Sequence, residues 1–436
     1  MHLTVNNIFN IIRAVSMYTE ETAHLMGFLT MKTLHSALGE IRANFAHIAL
    51  ERETIPINSC VGRFVAEDIF SHEEVPAFNR SGVDGYAIIS EDTFGATESV
   101  PSFLKILAKN SMGTICTTDI KSGETVAVPT GAQIPPSANA VVMVEYCEEL
   151  SGDTVAINHA VAPNTNIMYK GDDCKPGTLL VTRGTKINPI HIGILAAAGI
   201  CKLEVYKPPS VAIISTGDEL VGIGEPLPLG CIRDINTHMI AAELEGYGCR
   251  VVQKYLVKDL FGQIKSAIES ALAQADIVII SGGTSVGEKD YTFQAIEAIQ
   301  PGSVFAHGLA IKPGKPTILA NIGGKPVFGL PGQSVSAYIT YKAVVQHYLD
   351  TLFGKCYNTN TVPHLVAVLT QNVRSAPGKT TFQAVKLRYN QGGFLADPLY
   401  GKSGLISHLL NSDGLISIDE TQEGLYAGET VDVIRL

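Results

Sequence analysis

A chain of 436 residues is longer than one hydrophobic core normally serves, so about three or four domains are expected. With 46% hydrophobic and 17% charged residues the composition is that of a globular protein. A net charge of −10 without any Lys/Arg cluster argues against a nucleic-acid partner, and no apolar run is long enough to span a bilayer.

Residues 1–30 lack the basic start and uninterrupted apolar core of a signal peptide. A second Met, Met31, opens a helical pattern of its own, so the first thirty residues read as an extension or a misplaced start, with no function attached. Leu34, Leu38, Ile41, Phe45 and Ile48 recur at helical spacing and predict an amphipathic helix over 34–49. From about 53 to 160 the texture changes to short β-rich runs (125–128, 140–144, 154–157) broken by Gly, Pro and Asn, which suggests a β insertion. A helix over 189–199 precedes the breaker Lys207-Pro208-Pro209.

Beyond Pro209 the pattern alternates. Strands are predicted at 211–215, 250–257, 276–281 and 326–330, with helices at 236–246, 260–274 and 335–352. The 236–246 helix has Asn236 as its cap and a glycine stop. Continuous Val/Ile strands separated by helices predict a parallel sheet covered on both faces. The remainder, 357–436, returns to short strands with Gly turns. Eight scattered cysteines, with no C-x-x-C pair and no Cys/His group at zinc spacing, read as free thiols in a reducing, cytoplasmic setting.

Three strands run into glycine-rich loops carrying Gly217, then Ser281, Gly282, Gly283, Ser285 and Gly287, then Gly332. In an open α/β sheet the carboxyl ends of strands face one crevice, and glycine lets backbone N–H groups approach an anion there. Nearby, the prolines of IKPGKP (311–316), Pro316 among them, stiffen a loop that presents Lys312 and Lys315 to an oxyanion. The plainer readings are a strand-to-helix turn and a solvated loop. Glu219 and Asp290, with Asp218 and Asp259, sit awkwardly beside phosphate unless a hard cation bridges them. Mg²⁺ held by one or two carboxylates plus substrate phosphate fits that arrangement, with Glu219 and Asp290 as its ligands.

Taken together, PAFNRSGVDGYA (76–87), PTGAQIP (129–135), KGDD (170–173), STGDEL, SGGTSVGEKDYT, IKPGKP and GLPG resemble the molybdopterin molybdenumtransferases, the MoeA family that includes the gephyrin E domain. The resemblance covers roughly 31–436. It implies a multidomain α/β protein: a helical/linker domain (31–53 and 165–207), an inserted β domain (54–164), a MogA-like α/β molybdopterin-binding domain with a parallel-sheet core (208–354) and a C-terminal β-barrel-like domain (355–436). It further implies insertion of molybdate into adenylylated molybdopterin with release of AMP, assisted by Mg²⁺. The expected assembly is a homodimer with active sites shared between chains, in contact with the adenylyltransferase of the preceding step.

By motif match, Asp84, Thr130, Asp173, Glu219, Asp259 and Asp290 resemble the family's catalytic positions, and Lys312, Lys315 and Ser336 fall in motifs tied to nucleotide and oxyanion. On its residues alone, Asp84-Gly85 reads as a hairpin turn. Two departures stand out. Gln333-Ser334 replace the family's Asn-Pro, and its F-x-R falls on Phe382-Gln383-Ala384, leaving Lys386 or Arg388 to supply charge. A weaker oxyanion site follows, one that Asn-Pro together with arginine at 384 should strengthen. The adenylyltransferase step, a gephyrin-like scaffold, and tungstate in place of molybdate remain as alternatives.

Overall fold

The computed structural model describes residues 31–150, 153–284, 290–355 and 365–436. These group into two compact units, one of Thr54–Val61 and Val65–Val205, the other of the chain up to Glu53 with Gly62–Phe64 and Tyr206–Leu436. Segments 165–205 and 54–164, apart from Gly62–Phe64, thus fall in one unit, and 31–53 joins the α/β and C-terminal segments. The four-part division above stays a finer proposal.

The first unit is built on a six-stranded mixed sheet ordered Ala140–Met143, Gly85–Ile88, Glu124–Val128, Ser102–Lys109, Thr154–Ile157, Cys147–Glu149. Alternation places Ala87, Val126, Val128 and Val141 in one apolar cluster and Tyr86, Ile88, Val142 and Val155 in another, so both faces are covered. A third cluster surrounds Leu195 of the helix Pro189–Ala197. That helix starts sharply: Asn188 Oδ1 accepts from His191 N, His191 Nδ1 accepts from Asn188 N, and Pro189 opens the first turn.

The second unit carries the α/β sheet, ordered Arg250–Val257, Ser210–Thr216, Ile277–Ser281, Lys325–Leu330, Ile318–Ile322, Gly302–His307. The first four strands are parallel. These are the four strands read from the sequence, so the parallel core is as expected, and the last two strands add antiparallel pairs at one edge, which makes the sheet as a whole mixed. Ala212, Ile214, Val278, Ile280 and Val327 meet the helices Phe261–Gln274 and Tyr291–Glu297 in one cluster. Val211, Ile213, Ile277, Ile279 and Phe328 are as deeply buried and face the other way, with Phe328 against Tyr348 of the helix Gln346–Leu352. Burial on both sides is why these strands read as unbroken Val/Ile.

The Asn236–Tyr247 helix ends at Gly248, whose φ of 115° lies in the left-handed region, not at Gly246. The long helix expected over 335–352 runs as Ser334–Thr340, a π-helical stretch Tyr341–Val345, and Gln346–Leu352. In the C-terminal part, strands Thr380–Asn390, Gly393–Pro398, Leu365–Leu369, Thr430–Arg435 and Gly414–Ile418 pair in turn, and the last pairs back to the first. The result is a closed five-stranded barrel filled by Ala367, Val385, Ile416, Ile418 and Val433. Ile311–Lys312 adds to it as a short parallel strand.

Candidate functional site

In the first unit the ribbon 75–84 gathers the two other motifs by backbone hydrogen bonds. On one side Gly131 N donates to Ser81 O, Ser81 N to Ala132 O and Ile134 N to Asn79 O. On the other, Gly171 N donates to Pro76 O, Asp173 N to Val75 O and Lys170 N to Asn79 Oδ1. PTGA and KGDD are thereby held against the segment that ends in Asp84.

Asp84 Oδ1 accepts from Thr130 N at 2.6 Å and Thr130 Oγ1 at 3.0 Å. The backbone donor first, and the hydroxyl second, hold the Asp84 carboxyl below the usual aspartate range. Asp84, Thr130 and Asp173 are all exposed. Asp84-Gly85 is not a hairpin turn. Gly85 opens a central strand, and a Cβ there would lie 1.9 Å from Val142 O. The glycine is required by that close approach.

In the second unit the glycine loops do meet. A Cβ on Gly282 would lie 2.2 Å from Thr216 O, and one on Gly332 would lie 3.5 Å from Gly282 Cα. Gly282 and Gly283 have φ of 103° and 61°. Asn236 fastens two of the loops, its Nδ2 donating to Ser281 Oγ and to Gly332 O, both at 2.8 Å. Asn236 is therefore not the helix cap that its position suggests. That work falls to Asp234, whose Oδ1 accepts from Thr237 N at 3.1 Å and from Ser215 Oγ at 3.0 Å.

The acids occupy different settings. Glu219 is exposed just after Gly217, and a Cβ on Gly217 would come within 2.9 Å of its Oε2. Asp259 accepts from Thr216 Oγ1. Asp290, only 5% exposed, caps the helix Tyr291–Glu297: its Oδ1 accepts from Phe293 N and its Oδ2 from His307 Nε2, both at 3.0 Å. Ser285 and Gly287 lie outside the described residues. Among the described residues, no three His, Cys, Asp or Glu side chains converge as a metal cage. The hard-oxygen donors present fit only the mode in which one or two carboxylates share Mg²⁺ with substrate phosphate.

Lys312 and Lys315 are exposed, with Pro316 half-buried beside them. Between the lysines Gly314, φ 119°, leaves no room for a Cβ, which would sit 2.5 Å from Thr340 Oγ1. Thr340 is one helical turn beyond buried Ser336, so the lysine loop leans on the helix that follows Gly332. Nearby, Ala384 is 3% exposed and packs with Val335, Tyr338, Ile339 and Leu415. Lys386 is paired to Asp413 and Arg388 to Asp397. Ser403 Oγ donates to Gln333 Oε1. Sequence reasoning missed Asn236, Asp234 and His307. Arg233-Asp-Ile-Asn236 between strand and helix was the available signal for the first two, and nothing local marked His307.

Comparison with known proteins matches three stretches of the chain. Residues 32–199 match the MoeA N-terminal region (domain I and II), 212–351 the family described as "Probable molybdopterin binding domain", and 366–436 the MoeA C-terminal region (domain IV). The chain is 33% identical over 385 residues to the molybdopterin molybdenumtransferase of Haemophilus influenzae, covering 88% of this chain and 93% of that one. Against the enzyme of that name from Staphylococcus aureus it is 32% identical over 384 residues, covering 87% and 90%. A crystal structure of the molybdopterin biosynthesis MoeA protein from Pyrococcus horikoshii superposes with a TM-score of 0.78 at 31% identity, over 93% of this chain and all of that one. Sheet, barrel and motif ribbon are thus those of a molybdenum cofactor biosynthesis protein. The chain belongs to the MoeA family.

Proposed function

We propose that the protein is a molybdopterin molybdenumtransferase that takes adenylylated molybdopterin and molybdate, releases AMP and leaves the metal on the dithiolene. The observation that carries the reading is the meeting of the Gly217, Gly282–Gly283 and Gly332 loops at the carboxyl ends of parallel strands, fastened by Asn236. Backbone N–H groups at such a junction suit phosphate, and the crevice outside strand carboxyl ends is where open α/β sheets bind ligands.

In this reading Gly217, Ser281, Gly282, Gly283 and Gly332 cradle the phosphate. Lys312, Lys315, Pro316 and Ser336 take the oxyanion, and Asp259 holds Thr216 in place. Glu219 and Asp290 would hold Mg²⁺, which when bound offsets charge on the phosphate oxygens. Asp84, Thr130 and Asp173 form the second group of acting residues, with the Asp84 carboxylate kept ionised by Thr130. The resemblance adds a homodimer with shared sites, a cytoplasmic location and contact with the adenylyltransferase.

The test is AMP release from adenylylated molybdopterin in the presence of molybdate and Mg²⁺. Glu219→Gln and Asp290→Asn are expected to fold, by circular dichroism, and to lose about tenfold or more in rate. Near-normal turnover in both would remove the Mg²⁺ assignment.

A further inference from the structure

His307 ends the edge strand Gly302–His307, and its ring lies parallel to that of Phe293, centroids 4.2 Å apart at 12°. Its Nε2 is 3.0 Å from Asp290 Oδ2, and the His307 side chain is 22% exposed against 7% for Asp290. A carboxylate oxygen only accepts, so Nε2 carries the hydrogen. Phe293 N holds the other oxygen, Oδ1. The Asp290 carboxylate is therefore gripped at both oxygens, by a helix amide and by a ring that stacking holds in one orientation. Each oxygen still has a lone pair to offer.

We propose that His307 is a positioning residue, fixing the Asp290 carboxylate for cation binding. The inference rests on the reading of Asp290 as a Mg²⁺ ligand. A carboxylate free to turn about its side-chain torsions would lose conformational entropy on meeting the ion. One already held by His307 and Phe293 N has lost it in folding. Outer partners of this kind typically change metal affinity by about 10- to 100-fold when removed.

The experiment is calorimetric titration of Mg²⁺ into the full-length protein in the presence of AMP, alongside the Mg²⁺ dependence of AMP release. His307→Phe keeps the stack on Phe293 and drops the donor. His307→Gln keeps a donor and drops the ring. We expect His307→Phe to weaken Mg²⁺ about tenfold, with the activity loss in half-saturating Mg²⁺ more than in kcat, and His307→Gln to stay within about threefold of wild type. Adding His307→Phe to Asp290→Asn should weaken Mg²⁺ no further, because the two residues act as a unit. If Asp290→Asn weakens Mg²⁺ while His307→Phe does not, or if His307→Gln is the more damaged variant, the positioning role is overturned. If Asp290→Asn itself leaves Mg²⁺ affinity unchanged, the ligand assignment falls and takes this inference with it.

Discussion

Gly282 combines a φ of 103° with a Cβ position 2.2 Å from Thr216 O, so backbone strain and steric contact act on the same residue. Gly282→Ala is expected to cost about 2–4 kcal/mol in denaturant unfolding, because neither the torsion nor the neighbouring carbonyl can yield cheaply. Ala384 sets the opposite problem. The weaker oxyanion site read from its missing arginine invites Ala384→Arg, yet position 384 lies inside an apolar cluster. That change should destabilise the protein by several kcal/mol, roughly 2–5, rather than strengthen molybdate binding, and a thermal melt beside a molybdate titration separates the outcomes.

At Asp84 the folded carboxyl titrates below its unfolded value. Its contribution to stability is therefore present above the unfolded pKa and lost as pH falls through the folded one. Thr130→Val keeps the main-chain donor and removes the hydroxyl. Asp84, followed by NMR titration, should then titrate higher than in wild type while staying below an unperturbed aspartate.

Along the long C-terminal helix of the α/β part, the π-helical stretch Tyr341–Val345 places a fully buried Tyr341 whose hydroxyl has no hydrogen-bond partner among the described residues. A buried donor left unmade is costly, so Tyr341→Phe is expected to raise stability by about 1 kcal/mol, read from the denaturation midpoint at constant slope. Periodicity foresaw this helix but not its change of winding, since one extra residue in a turn leaves the apolar count intact. The same limit governed the sheet. Buried strands such as Ser210–Thr216 and Ile277–Ser281 were legible because each carries an unbroken apolar run, 211–214 and 277–280. Gly302–His307 and Ile318–Ile322 were not, because neither carries a direction or a partner in its own residues. Gly217, Gly282, Gly283 and Gly332 do follow strand ends, as read, because the end of an apolar run marks where the chain must turn. Asn236 was misread because an Asn ahead of a helix usually caps it, and only the third dimension shows Ser281 and Gly332 within its reach.

For the molecule as a whole, the six residues proposed to act divide evenly: Asp84, Thr130 and Asp173 in one compact unit, Glu219, Asp259 and Asp290 in the other. The homodimer with shared sites proposed above makes this division testable. Chains carrying Asp84→Asn and chains carrying Asp290→Asn, unfolded and refolded together, should recover about a quarter of wild-type activity, since roughly half the dimers are mixed and each has one intact site. Sites built within a single chain would leave every site with one lesion, and activity would stay at the mutant baseline.

Ile311–Lys312 belongs by sequence to the stretch between two α/β strands, yet it pairs with Thr380–Thr381 of the barrel, and Thr380 N donates to Ala310 O. The backbone of the lysine loop is therefore protected by a part of the chain almost seventy positions further on, as Ile311 to Thr380 counts out. Amide hydrogen exchange around 311–312 should follow the opening of the barrel rather than that of the α/β sheet. A chain cut short after the long helix could then keep its parallel strands and glycine loops while its lysine loop exchanged as freely as an unpaired turn.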